Sequence, residues 1–111
     1  MPAHTRLEAQ TGGLRLLAAP RPWPVPVGQH VALDILLCAA PGSPLPQGLQ
    51  VDAEMPAHRH GMNYRATVRP LGGGRFVAEG LLFHMPGRWR LLFDVGDARQ
   101  PLRLATDLTI E

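Results

Sequence analysis

Two short segments hold most of the metal-capable side chains of this chain: Met55-Pro56-Ala57-His58-Arg59-His60-Gly61-Met62 and His84-Met85-Pro86-Gly87. Three of the 5 histidines lie there, and so does every methionine except Met1. A thioether is a neutral, soft donor that selects Cu(I) and does little for zinc, magnesium or calcium. Imidazole supports both copper oxidation states. The expected ligand set is therefore Met55, His58, His60, Met62, His84 and Met85, and the expected ion is copper, as Cu(I) or, with further histidine or water, Cu(II). Imidazole must be deprotonated to bind, so affinity is expected to fall as pH drops through the histidine range. Taken singly, each residue has a plainer reading. An exposed histidine is ordinary polar surface, Met55 alone is core filling, and His-x-His is a weak signal. The conjunction carries the weight. Nothing nearby pairs His4 or His30 with another donor, and both are left as surface. His4 would chelate copper through its amine only if processing made it the N-terminal residue.

The elements that must position these donors read as strands. Leu14 to Ala19 is the first. His30 to Cys38 is the second, with Val31, Leu33, Ile35 and Leu37 on one face. Leu49 to Met55 is the third, with Leu49, Val51, Ala53 and Met55 opposed to Gln50, Asp52 and Glu54. Tyr64, Ala66 and Val68 alternate next. Arg75 to Phe83 follows, its period disturbed near Gly80, where a bulge is expected. Trp89, Leu91, Phe93 and Val95, then Leu102, Leu104, Leu108 and Ile110, complete the pattern. The connections are rich in glycine and proline. Arg21 to Gly28 has alternating prolines that forbid helix, with Trp23 as a plug. Met85-Pro86-Gly87-Arg88 fits a type II turn.

About seven short strands without helix predict an all-β fold, an immunoglobulin-like antiparallel β-sandwich, over residues 13–111. A small Greek-key barrel is the alternative. Residues 1–12 read as a polar leader. Strand parity brings residues 20–28, 55–62 and 84–87 to one pole. In extended chain His58, His60 and Met62 share a face. His84 and Met85 point to opposite sides unless the turn twists, so at most one is expected to ligate.

The 111 residues suit one domain. A formal net charge of +2 gives no strong pull towards nucleic acid. Every basic residue is arginine. The lone Cys38 excludes an intrachain disulfide and a cysteine zinc site, and its apolar run predicts a buried side chain. No run is long and apolar enough to cross a bilayer. The opening Met1-Pro2-Ala3-His4-Thr5 is not a signal peptide; either the protein is cytoplasmic or a signal or anchor has been trimmed. No nucleophile–base–acid set is apparent, since Asp52 and Glu54 lie opposite Met55, so an enzyme is not expected.

Met-Pro-x-His at Met55 to His58, the glycine turn near Gly74 and Phe83-His84-Met85-Pro86-Gly87-Arg88-Trp89 together resemble the YtkA-like family, whose pattern is shared by the FixH proteins. The resemblance spans about Leu14 to Ile110. It implies an immunoglobulin-like sandwich, a periplasmic or cell-surface setting and copper handling. It also implies Met55, His58 and Met85 as ligands, with Gly87 and Trp89 as turn and core residues. Two functions follow as expectations. One is a copper carrier, chaperone or store that passes the ion to a cuproprotein or membrane partner. The other is a metal-independent interaction module docking a membrane or oxidase-assembly partner.

Overall fold

The computed structural model describes residues 6–58, 60–62, 64–97 and 99–111, His60 by its backbone alone. The described residues form nine strands and no helix. They are β1 (Leu7–Thr11), β2 (Leu14–Arg21), β3 (His30–Ala39), β4 (Leu49–Met55), β5 (His60–Gly61), β6 (Thr67–Gly72), β7 (Arg75–Leu82), β8 (Gly87–Val95) and β9 (Leu102–Ile110). One sheet has the order β1-β2-β3-β7-β6 and the other β5-β4-β8-β9. All pairings are antiparallel. The fold is a β-sandwich.

Period-2 patterning explains the core. Leu16 and Ala18, then Val31, Leu33, Ile35 and Leu37, bury one face of the first sheet. Val51, Ala53 and Met55, with Trp89, Leu91, Phe93 and Val95, bury the facing surface of the second. Each large apolar side chain so enclosed contributes about 1.5–3 kcal/mol. The outward faces carry arginine–carboxylate pairs across neighbouring strands, among them Arg15–Glu8, Arg21–Asp34 and Arg103–Asp94. The bulge expected near Gly80 is present. Val31 and Leu33 pair with Leu81 and Ala78, so β7 carries one more residue than β3 across that step. Gly80 supplies the φ of 83° there.

Several expectations need correction. Residues 7–11 are not leader but strand β1, with Leu7 to Thr11 paired to β2 and Ala9 buried. Only one side chain of that strand is fully covered, so its sequence carries little apolar signal. Residues 1–5, with His4, lie outside the described residues. β6 starts at Thr67 rather than near Tyr64, whose side chain is 54% exposed. Trp23 is no plug: it is 39% exposed, and Val25 two residues on is buried instead. Cys38 is half-buried on the outer face, opposite Arg15, because the core face of β3 belongs to Leu37. Leu102 stands exposed near Gly12 rather than in the core.

Candidate metal centre

The backbone brings the two donor segments to the same pole. Glu54 of β4 lies opposite Arg90 of β8, so β4 ends where β8 begins. Arg21 pairs with Ala32 and His30 with Leu82, so β2 and β7 end beside the start of β3. The connections 22–29, 56–58 and 83–86 therefore emerge together. A hydrogen bond from the Gly28 N–H to the Phe83 carbonyl, 2.8 Å, ties the first of these to the third. The parity expectation survives the additional strands because β1 precedes all three connections and β5 is only two residues long.

Met55 is the point where the segments touch. It closes β4, is 2% exposed, and its thioether methyl reaches Gly87. A Cβ on Gly87 would stand 2.6 Å from that methyl. Gly87 also has φ 132°, a conformation L side chains rarely adopt. Glycine here has two reasons: the backbone that opens β8 and the room for Met55.

Trp89 fixes the second segment from within. It is fully buried. Its indole N–H donates to the Met85 carbonyl at 3.0 Å. Its ring meets the His84 ring edge-on at 5.5 Å and the Phe83 ring at 5.2 Å. Residues 83–86 are not strand. The strict alternation that would send His84 and Met85 to opposite sides therefore does not apply. His84 is half-buried against Trp89, and half-buried Met85 packs on the core.

The remaining donors surround Met55 along the chain. The His58 N–H donates to the Met55 carbonyl at 3.2 Å, closing the turn after β4, and the His58 side chain is exposed. His60 lies directly opposite Met55 in the β4–β5 ladder; its side chain is outside the described part. Met62 continues that ladder through its N–H to the Ala53 carbonyl, 3.3 Å, and is half-buried on the core. The backbones of all six expected donor residues thus lie at one pole, where Met55 meets Gly87 and Trp89 meets His84 and the Met85 carbonyl. His30 is at this pole too, with its ring edge-on to Tyr64 at 5.7 Å. Among the described residues no three His, Cys, Asp or Glu side chains converge as a metal group.

Sequence reasoning missed the role of Gly87 as clearance for Met55 and the indole bond that orients the Met85 backbone. The signal was the spacing Met85-x-Gly87-x-Trp89, read only as turn and core.

No protein-family model matches the sequence, and a comparison with curated proteins finds no match. Solved structures do resemble it in fold. A DUF4426 family protein from Pseudomonas aeruginosa PAO1 aligns with TM-score 0.59 and 9% identity, covering 99% of both chains. A copper-bound variant of FetP from uropathogenic Escherichia coli strain F11 aligns with TM-score 0.59 and 9% identity, covering 93% of both. At that identity the likeness establishes the small all-β architecture and nothing finer.

Proposed function

We propose that this protein is an extracytoplasmic copper-binding protein that carries or stores the ion at the His/Met pole and releases it to a partner by ligand exchange. The observation that carries the reading is the contact between the two donor segments: the Met55 methyl lies on Gly87, and Trp89 clasps His84 and Met85. His58 and His60 are the imidazole donors, Met55 and Met85 the principal thioethers, and Met62 and His84 the exchange ligands. Buried Met55, half-buried Met62 and Met85, and exposed His58 at the same pole suit an ion that must be held dry yet reached from outside. That the fold also serves a copper-bound FetP variant adds support from architecture alone. The similarity of the motifs to YtkA-like domains supports the periplasmic or cell-surface setting. The protein acts by binding, without turnover.

Titration of the purified protein with Cu(I) under a competing chelator, and with Cu(II), tests this directly. A stoichiometric complex that weakens strongly in His58→Ala/His60→Ala is expected. Failure of the native chain to bind either ion overturns the proposal.

The metal-independent docking module has one observation in its favour. Trp23, Val27 and Tyr64 are exposed, and all three sit in the connections or chain around this pole. Capture of a partner by the metal-free protein and by the histidine-less variant alike would select it.

A further inference from the structure

The second sheet has an open edge away from the His/Met pole. β5 covers β4 only at Glu54 and Met55, and the Met62-to-Ala53 bond adds one more rung. That bond points the Ala53 main chain at this edge. On the other side, the Gly48 carbonyl accepts from the Gly96 N–H, and Gln50, Asp52 and Glu54 lie opposite residues of β8. Main-chain direction alternates along a strand. The N–H and C=O of Leu49 and Val51 therefore face outward, and no hydrogen bond to them is present among the described residues on that side. The Ala53 N–H, next in line, is held by the Asp52 carboxylate at 2.8 Å. Beside this edge lies a cleft of about 410 Å³, bounded by Leu49 to Asp52 on one wall and by Arg65, Ala66 and Val68 on the other. Ala66 and Val68 are half-buried and pack on the core.

We propose that this edge receives an extended strand of a partner protein, one that alternates basic and small apolar side chains. Backbone pairing with Leu49 and Val51 would satisfy the outward groups, as in strand addition to other sheet edges. The alternation follows from β4 itself. Its inner side presents Val51 and Ala53, which small apolar residues match. Its outer side presents Asp52 and Glu54, which form no salt bridge among the described residues although Arg103 lies within electrostatic reach of both, and these match lysine or arginine at the same two-residue spacing. The free stretch is short, so the contact is weak and transient. The proposal stands independently of copper.

Hydrogen exchange on the metal-free protein in chelator tests it. The probes are the peptide acetyl-Lys-Val-Arg-Val-Lys-Val-amide and its counterpart with glutamate at each basic position. In the free protein the Val51 amide is expected to exchange far faster than those of Gln50 and Asp52. The basic peptide slows Val51 roughly tenfold or more while leaving the already protected neighbours unchanged; the acidic peptide does not. Asp52→Lys/Glu54→Lys reverses the preference, and the milder Asp52→Asn/Glu54→Gln abolishes it with little risk to folding. An unprotected Val51 at millimolar basic peptide overturns the proposal. So does an equal response to both peptides. Protection that grows with protein concentration alone would assign the edge to a second copy and likewise overturn it.

Discussion

The two poles of the sandwich are closed by different means. At the pole of residues 40–48, 72–74 and 96–97, main chain meets main chain. The Gly96 N–H donates to the Gly48 carbonyl at 2.8 Å and the Leu37 N–H to the Gly74 carbonyl at 2.7 Å. A Cβ on Gly48 would stand 2.6 Å from the Gly96 carbonyl oxygen, and one on Gly74 would run into the Leu37 carbonyl. At the His/Met pole, side chains do the closing: Met55 on Gly87, Trp89 on His84 and Met85. The first arrangement is indifferent to side-chain chemistry. The second uses side chains of prospective ligands as packing groups, so on the proposed reading stability and metal affinity would be coupled at one end of the molecule only.

Five changes break or sharpen this contrast. The largest effect is expected from Trp89→Ala, which empties the core behind both His84 and Met85 and costs about 3–5 kcal/mol in urea unfolding. Copper affinity should fall with it. Next come two glycine substitutions. Gly74→Ala meets immovable backbone at φ 81°. It is expected to destabilise by about 1–3 kcal/mol with copper binding unchanged in the folded fraction. Gly87→Ala meets only the movable end of Met55. Its backbone strain is of the same order, about 1–3 kcal/mol, but here the copper titration shifts as well. Equal copper affinities in the two variants would dissolve the distinction between the poles.

Met55→Leu sharpens it further. The swap roughly conserves volume and is expected to cost less than about 1.5 kcal/mol, while removing the sulfur lowers Cu(I) affinity more than Cu(II) affinity. The smallest effect lies on the outer face. Arg103 donates two hydrogen bonds to Asp94 and holds its carboxyl below the ordinary carboxylate range. A depressed folded pKa stabilises above the unfolded value and loses that contribution as pH falls through the folded one. Arg103→Leu should therefore lower stability by no more than about 1 kcal/mol near neutral pH. Its urea midpoint should converge on that of the native chain under strong acid.

The sandwich was legible where one face of a strand is buried and the other wet. Val31 to Leu37, Val51 to Met55 and Trp89 to Val95 alternate, and the buried residues are the ones their period selects except Leu92, which is buried although it falls off the period. The Gly80 bulge was legible for the same reason, as a break in that period. β1 was not, because with Ala9 alone buried its pairing rests on backbone bonds that leave no mark on composition. Tyr64 and Trp23 misled because an aromatic residue among strand-like neighbours reads as core, whereas both sit in connections that the sheets do not cover. Of the candidate centre, parity alone foretold the common pole. The packing of Met55 on Gly87 could not be foretold, because it depends on a positive φ and a missing Cβ seen only in three dimensions.

The Gly28–Phe83 bond joins the proline-stiffened arm to the residue just before His84. The arm is thus anchored beside a prospective ligand, and Trp23 on it is exposed. A molecule that gripped Trp23 would, through that bond, pull on the main chain next to His84.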